Sequence, residues 1–292
     1  MYSSPLRYPG GKALMTSFLV ELFQTNGMQH ITYAEPYAGG AGAAINLLIQ
    51  GAVDNIIIND ANIGIYSFWN YLLNDSERFL QVIKDIPVTI DEWHRQRRIL
   101  KESNEPSFEL GVATFFLSRT NRSGVITGGA IGGASEEKQR TATYKIDCRF
   151  NKVYLTNRLQ DIIAHREHIM VSNLDALDFL HGLNDDVFVY LDPPYYEKGK
   201  CLYMNHYTDE DHRKLAEFLH NTAHFSWILS YDDVPQIREL YSSLELYRFP
   251  LKYTVETKRI GYELLTHSQN IMFPEKLLIK RPQSGIINIE RL

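Results

Sequence analysis

The sequence predicts an α/β fold, in which an open and mostly parallel sheet carries a mostly helical insertion after its second strand. Residues 31–35 have the apolar pattern of a strand, and glycines and the apolar helical pattern of residues 43–49 follow. A second strand, Asn55–Asn59, ends on Asp60, so these elements predict a βαβ unit. Strand patterns are not evident between residues 62 and 166, and they return after them.

The second half of the chain completes the predicted sheet. Further strand patterns occupy Ile169–Ser172, Val187–Leu191, 225–230, 246–251 and 264–273. Residues 209–220 are compatible with a helix between two of these strands. We therefore predict a sheet domain made of residues 1–61 and 167–292, and an inserted domain made of residues 62–166.

Composition favours an intracellular globular protein. The 292 residues are 44% hydrophobic, and no stretch approaches the roughly 20 apolar residues of a membrane span. The amino terminus lacks the apolar core of a signal peptide, which predicts a cytoplasmic protein. The two cysteines, Cys148 and Cys201, lack metal-type spacing and are expected to be free thiols. His165 and His168 share a helical face, but no other residue completes a site, so we predict no metal.

Charge is distributed unevenly along the chain. The formal net charge is −5, but residues 112–166 hold nine Lys or Arg against four Asp or Glu, which gives +5 there and −10 elsewhere. A basic insertion in an acidic chain is typical of contact with nucleic acid, although an ordinary solvated surface explains many such imbalances.

The turn after the first strand resembles a nucleotide-binding turn. Gly39, Gly40 and Gly42 allow the backbone to approach a ligand at the carboxyl edge of the sheet. Their spacing departs from G-x-G-x-x-G, which argues against a dinucleotide such as NAD. Asp60 follows the second strand, where a carboxylate can bind ribose hydroxyls. Glycine turns also serve plain packing, but the turn and the acid together favour a nucleoside ligand.

The most specific motif is Asp192-Pro193-Pro194-Tyr195, which directly follows the apolar strand Val187–Leu191. An exocyclic amine of adenine is a poor nucleophile because its lone pair is delocalised into the ring. The Asp192 carboxylate and the Pro193 carbonyl can accept hydrogen bonds from such an amine, and the two prolines hold these acceptors in place. Tyr195 offers a ring on which an extruded base can stack. The alternative is an ordinary turn that ends a strand.

These motifs occur in an order that resembles the Dam-like, or D12 class, family of DNA adenine-N6 methyltransferases. The resemblance implies a Rossmann-like class I sheet and S-adenosylmethionine as methyl donor. It implies that Tyr8 and Lys12, from Tyr8-Pro9-Gly10-Gly11-Lys12, lie beside this cofactor. It further assigns cofactor contacts to Glu35, Pro36, Ala38, Gly39, Gly40, Asp60, Asp175 and Asp192. Of these, Asp175 would lie near the cofactor adenine and Asp192 near its methionine end.

The insertion resembles the target-recognition domain of the same family. Residues 115–124 are similar to its aromatic-then-Asn-Arg signature, and residues 127–149 are where sequence reading is expected. The partner implied is double-stranded DNA, with contacts from Arg119, Asn121, Arg122, Lys138 and Arg140. The DNA sequence that is read stays open, as does the existence of a cognate restriction enzyme.

Two other classes of function compete with this interpretation. One is methylation of another amine, namely cytosine N4, adenine in RNA or a protein amide. By the same resemblance, cytosine-N4 enzymes usually have Ser and protein-amide enzymes Asn at position 192, so Asp192 favours adenine. The other is a catalytically inactive DNA-binding module, which the intact set of cofactor and catalytic motifs argues against.

Overall fold

The computed structural model describes residues 4–8, 10–197, 207–253, 259–275, 277–281 and 285–292. The strands in this part of the chain are β1 (Thr32–Glu35), β2 (Asn55–Asn59), β3 (Ile169–Ser172), β4 (Val187–Leu191), β5 (Ser226–Asp232), β6 (Tyr247–Tyr253), β7 (Arg259–His267), β8 (Leu278–Arg281), β9 (Gly285–Asn288) and β10 (Glu290–Arg291). The predicted α/β fold with a mostly parallel central sheet is confirmed.

The main sheet has the strand order β10-β6-β7-β5-β4-β1-β2-β3. Strands β1 to β5 are parallel to one another, whereas β7 is antiparallel to both of its neighbours, β5 and β6. A separate two-stranded sheet is formed by β8 and β9. Antiparallel pairing therefore occurs only on the side of the sheet that is formed by the last strands of the chain, β6, β7 and β10.

One expectation about the last strands was wrong. Strand β7 spans Arg259–His267 rather than residues 264–273, and three short strands that were not predicted follow it. Residues 259–263 include two charged residues and a glycine, and β10 has only two residues, so neither presents the continuous apolar run that identifies the buried strands.

The position of the site follows from the strand order. From β1 the chain proceeds to β2 on one side, while β4 lies on the other side of β1. Open parallel sheets bind ligands at such a switch point, outside the carboxyl ends of the strands. The buried Asn59 side chain fixes this edge, because its amide donates to the carbonyls of Pro36 and Leu174 and accepts from Ser172 and the Leu174 amide.

Helices cover both faces of the sheet and form the insertion. They are α1 (Thr16–Thr25), α2 (Gly42–Ile49), α3 (Ile63–Asn74), α4 (Ser76–Asp85), α5 (Ile90–Glu102), α6 (Phe108–Thr120), α7 (Glu136–Thr141), α8 (Lys152–Ile163), α9 (Ala176–His181), α10 (Asp209–Asn221) and α11 (Pro235–Leu240). One apolar cluster lies on each face of the sheet, and alternate residues of a strand belong to different clusters. In β4, Phe188 and Tyr190 belong to one cluster, and Val187, Val189 and Leu191 belong to the other. No helix in the described ranges is long and apolar enough to cross a membrane.

The segment between β2 and β3 contains α3 to α8 and, apart from one isolated bridge between Asn121 and Ala130, no strand pairing. It is packed against the sheet rather than detached from it. The indole of Trp69 on α3 donates to the carbonyl of Gly39 at 3.0 Å, and α3 shares the apolar cluster that contains α1 and α2. Trp69, Trp93 and Trp227 are all buried, as expected for packing residues.

Candidate active site

A cavity of about 330 Å³ opens at the carboxyl ends of β1, β2 and β4. Ten residues that the sequence analysis assigned to the cofactor line it: Tyr8, Lys12, Glu35, Pro36, Ala38, Gly39, Gly40, Asp60, Asp175 and Asp192. The structure therefore brings these ten residues together around one space, although they span the chain from residue 8 to residue 192. Pro9, from the amino-terminal motif, lies outside the described residues.

The glycine turn forms one wall of the cavity. Gly39 has a φ of +46°, and a Cβ at this position would lie 2.8 Å from the Tyr8 ring, so both conformation and space require glycine. Ala41 also has a positive φ, of 45°, and is the N-cap of α2. This left-handed residue turns the chain from the strand into the helix at the wall of the cavity.

Two carboxylates hold the turn. Asp60 accepts hydrogen bonds from the amides of Gly39 at 2.8 Å and Asn62 at 2.9 Å, while burial raises the pKa of its carboxyl to about 6. Glu35 accepts from the Tyr33 hydroxyl and the Ala44 amide, each at 3.0 Å, and burial raises its pKa to about 8. Asp60 thus joins the end of β2 to the glycine turn, and Glu35 joins the end of β1 to the first turn of α2.

Acidic side chains dominate the lining of the cavity. Glu35, Asp60, Asp175, Asp192 and Asp211 line it, whereas Lys12 is its one basic side chain among the described residues. Glu35, with a pKa of about 8, is largely uncharged at neutral pH, and Lys12 is buried and paired with Asp192. The negative charge of the lining therefore comes from Asp60, Asp175 and Asp211. The cavity suits a ligand that carries positive charge.

Asp192 belongs to a buried ionic cluster. The Nζ of Lys12 lies 2.8 Å from Oδ1 of Asp192, 3.3 Å from Oε1 of Glu263 and 3.1 Å from the Tyr195 hydroxyl. Tyr195 in turn donates a short hydrogen bond to Glu263. Burial opposes the charge on Lys12, but Asp192 and Glu263 outweigh burial and raise its pKa well above the usual value. Burial also raises the pKa of both carboxyls, against the opposing effect of Lys12.

The Asp-Pro-Pro-Tyr motif is only partly open to the cavity. Asp192 and Pro194 line it, while Pro193 and Tyr195 are buried and do not. The Tyr195 side chain is 3% exposed and its hydroxyl faces Lys12 and Glu263. The expectation that Tyr195 presents its ring to a base therefore does not describe this structure, in which the ring belongs to the ionic cluster.

Three residues that the sequence analysis missed support the motif. Ser230 donates to Asp192 at 3.3 Å, Glu263 completes the ionic cluster, and Asp232 accepts from the amides of Tyr196 at 2.9 Å and Glu197 at 3.0 Å. Ser230 and Asp232 lie in the last part of β5, next to β4. Their signal in the sequence is a polar residue within an apolar strand, which marks a buried polar group that needs a partner.

The predicted DNA contacts divide into two groups. Arg122, Lys138 and Arg140 are exposed and available for contact. Arg119 and Asn121 are buried, and their assignment as DNA contacts is corrected. Arg119 donates to the carbonyls of Pro5, at 2.6 Å from Nε, and Ser4, at 2.9 Å from Nη2, because it is on the inner face of α6. The Asn121 side chain accepts from Trp93 and donates to Val125 and Ile126, so it closes the turn after α6.

The remaining chemical groups form no further site. Among the residues that the structure describes, no three His, Cys, Asp or Glu side chains are placed to hold a metal ion. The nitrogen Nδ1 of His165 lies 2.9 Å from the Asp161 carbonyl and that of His168 lies 3.2 Å from Asn55, so the two rings serve local contacts. Cys148 is an exposed free thiol, and Cys201 lies outside the described residues.

Known proteins resemble this chain over most of its length. The model of the D12 class N6 adenine-specific DNA methyltransferases matches residues 8–256. The chain is 23% identical over 242 residues to the type II methyltransferase M.CviBI of Paramecium bursaria Chlorella virus NC1A, covering 80% of this chain and 86% of the relative. It is 25% identical to the type II methyltransferase M.MjaIII of Methanocaldococcus jannaschii, covering 73% and 78%. It is also 25% identical to the modification methylase StsI of Streptococcus sanguinis, covering 74% of this chain but 33% of that longer protein. The chain belongs to the D12 class of N6 adenine-specific DNA methyltransferases, which methylate adenine at specific sites in DNA.

Proposed function

We propose that this chain transfers the methyl group of S-adenosylmethionine to N6 of an adenine extruded from double-stranded DNA. The observation that carries the proposal is the position of Asp192. Asp192 directly follows the buried strand β4 and lines the cavity. Lys12 forms an ion pair with its oxygen Oδ1, and Ser230 donates a hydrogen bond to the same oxygen. Among the described residues no hydrogen bond reaches its other oxygen, Oδ2.

The charge of the cavity lining supports S-adenosylmethionine as the ligand. Its acidic lining complements the sulfonium and ammonium charges of this molecule. Asp60 lies at the end of β2, where its carboxylate can accept hydrogen bonds from the ribose hydroxyls, and Asp175 lies farther along the same edge. Glu35, Pro36, Ala38, Gly39 and Gly40 would surround the methionine end, together with Tyr8 and Lys12. S-adenosylmethionine supplies an activated methyl group, because its sulfonium leaves as a neutral thioether.

The chain's contribution to the reaction is to orient and polarise the adenine amine. Asp192 accepts one N6 hydrogen through Oδ2. The Pro193 carbonyl is assigned the other from the motif, although Pro193 is buried and does not line the cavity. Together these bonds draw the amine out of conjugation and aim its lone pair at the methyl group. Methylation leaves the amine with one proton too many, and the Asp192 carboxylate is the nearest base to receive it.

The insertion supplies the DNA contacts in this proposal. Residues 62–166 would act as the target-recognition domain, with the exposed Arg122, Lys138 and Arg140 against the DNA. The chain's substrate also suggests where it acts, namely the cytoplasm of a bacterial or phage-infected cell, where the DNA lies. Its relatives named type II methyltransferases suggest a role in restriction and modification.

The test is to express the chain in cells that lack adenine methylation and to map N6-methyladenine across their DNA by single-molecule sequencing. We expect one repeated methylated sequence with the wild-type chain and none with folded Asp192→Ala. A blank map from a folded wild-type chain that binds S-adenosylmethionine would reject DNA adenine as the substrate. Methylation by Asp192→Ala near the wild-type level would remove Asp192 from the reaction.

A further inference from the structure

Glu263 is a buried carboxylate that the proposed reaction has not yet used. It lies in β7, its residue exposure is 0%, and it is brought beside Asp192 by a strand that joins the sheet through β5. Its oxygen Oε1 contacts both the Lys12 ammonium, at 3.3 Å, and the Tyr195 hydroxyl. A charged side chain that is removed from water at this depth is costly unless its charge is paired.

One ammonium serves two carboxylates in this cluster. Lys12 is 2.8 Å from Asp192 and 3.3 Å from Glu263, so it favours Asp192 in the structure but stands within reach of both. The other titratable groups that interact with the cluster are Tyr195, Tyr190, Tyr33, Tyr231 and Glu35. With both carboxylates ionised, the cluster of Lys12, Asp192 and Glu263 carries a net charge of −1, so the single ammonium cannot neutralise both carboxylates.

The pairing of Lys12 with Asp192 conflicts with the role of Asp192. A carboxylate that is tightly paired with an ammonium is a weaker hydrogen-bond acceptor and a weaker base, so it polarises an amine less. Asp192 gains acceptor strength when Lys12 shifts toward another anion. Glu263 is that anion, and the hydrogen bond from Tyr195 stabilises its charged form.

We propose that Glu263 is a positioning residue that acts as the alternative counter-ion of Lys12, drawing the ammonium away from Asp192 when the target amine arrives. This role rests on the proposed function. It requires no new bond to form or break at Glu263: Lys12 keeps its proton and moves between two acceptors that are already within reach.

The proposal predicts a particular effect of Glu263→Gln. The variant removes a negative charge next to Asp192 and leaves Lys12 with Asp192 as its one anionic partner in the cluster. Both changes lower the pKa of Asp192. We expect the single-turnover rate of methyl transfer at the pH plateau to fall about tenfold or more, and the acid limb of its pH profile to move to lower pH by about one unit. Loss of structure alone would lower the plateau and leave the limb in place.

The experiment measures single-turnover transfer of labelled methyl groups from S-adenosylmethionine to DNA from cells that lack adenine methylation, between pH 5 and pH 9. Glu290→Gln is the matched control, because Glu290 is an exposed residue of β10 that pairs with Arg248 far from the cavity, and it should retain the wild-type profile. Glu263→Asp keeps the negative charge and should restore the acid limb. An unchanged plateau and limb in Glu263→Gln would overturn the proposal.

A second measurement does not depend on methyl transfer. Carbon-13 NMR of labelled aspartate carboxyls, with the Asp192 resonance identified by its loss in Asp192→Asn, follows the titration of Asp192 in the free protein. We expect its midpoint to be lower in Glu263→Gln than in the wild type, and equal midpoints would overturn the proposal. A wild-type chain that binds S-adenosylmethionine but transfers no methyl group would instead reject the proposed function.

Discussion

Asp60 is the residue that we expect to couple the proposed cofactor site to pH. Both of its oxygens already accept backbone amides, one from the glycine turn at Gly39 and one from Asn62. Burial raises its pKa to about 6, above the usual value for aspartate. The carboxyl is therefore ionised above about pH 6 and becomes protonated as the pH falls through that value, which deprives one of the amides of its acceptor.

The first prediction concerns the affinity for S-adenosylmethionine. We expect its Kd to rise as the pH falls from 7 through about 6, reaching about ten times the pH 7 value at pH 5 if the form with protonated Asp60 does not bind. Isothermal titration calorimetry over this range measures the effect. Asp60→Asn should bind more weakly at pH 7 and lose the pH dependence. A flat Kd in the wild type from pH 7 to pH 5 would contradict the role of Asp60.

At the scale of elements, the amino-terminal segment connects the insertion to the cofactor site. Arg119 on α6 holds the carbonyls of Ser4 and Pro5, and the Ser4 hydroxyl donates to Gly40 in the glycine turn. Gly124 lies in the turn that follows α6. A Cβ on Gly124 would lie 2.4 Å from the Arg7 carbonyl oxygen, so the backbones at these two residues are in direct contact. Residues 4–8 therefore connect α6 with the glycine turn at Gly40, and we expect a displacement of α6 to displace that turn as well.

The second prediction separates Arg119 from Arg122. We expect Arg119→Ala to destabilise the fold by about 1–3 kcal/mol, since two buried carbonyls lose their donor, and to weaken cofactor binding. Arg122→Ala should leave both properties unchanged and weaken DNA binding. Thermal unfolding, calorimetry with S-adenosylmethionine and fluorescence anisotropy with DNA measure the three effects. A wild-type melting temperature in Arg119→Ala would show that the segment is held by other contacts.

The third prediction concerns the loop after β4. The Asp232 carboxylate accepts two consecutive amides there, from Tyr196 and Glu197. An asparagine amide would place a donor against one of them, so Asp232→Asn should displace the loop and lower kcat about 10- to 100-fold, with little change in cofactor Kd. Asp233→Asn is the matched control, since Asp233 pairs with Arg238 and does not touch the loop. Equal kcat in the two variants would rule out the proposed support.

The elements also explain what the sequence could and could not predict. Buried parallel strands were located to within one or two residues, since each is an apolar run ended by a polar residue. Strands β8 to β10 lack such runs and were missed. The similarity of residues 115–124 to a recognition signature did not give the direction of each side chain, so Arg119 and Asn121 were misassigned. Glu263 was missed because its partner Lys12 is 251 residues away, a contact that only the strand order creates.

At the scale of the whole molecule, two opposite charge distributions meet. The chain has a net charge of −5, and its cavity is lined by acids, yet residues 112–166 carry +5. The acidic cavity favours a cationic cofactor and the basic insertion favours a polyanion. This separation of charge explains how a protein with an acidic pI of about 6.1 can still present a basic region to DNA.

The fourth prediction is the salt dependence of DNA binding. If Arg122 contacts a phosphate, Arg122→Ala should reduce the slope of log K against log salt by about 1. Arg166→Ala is the matched control: Arg166 is exposed, but it precedes β3 and therefore lies at the amino-terminal edge of the sheet, opposite the cavity. The control should retain the wild-type slope. Identical slopes in the wild type and Arg122→Ala would remove Arg122 from the DNA contacts.

The most direct test of the central claim is to identify the methylated atom. Purified chain is incubated with labelled S-adenosylmethionine and unmethylated DNA, the DNA is digested to nucleosides, and the labelled nucleoside is identified by chromatography and mass spectrometry. The account predicts that all label is in N6-methyladenine with the wild type and that folded Asp192→Asn, which still binds cofactor, incorporates at least about 100-fold less. Label in N4-methylcytosine, or near wild-type incorporation by Asp192→Asn, would contradict it.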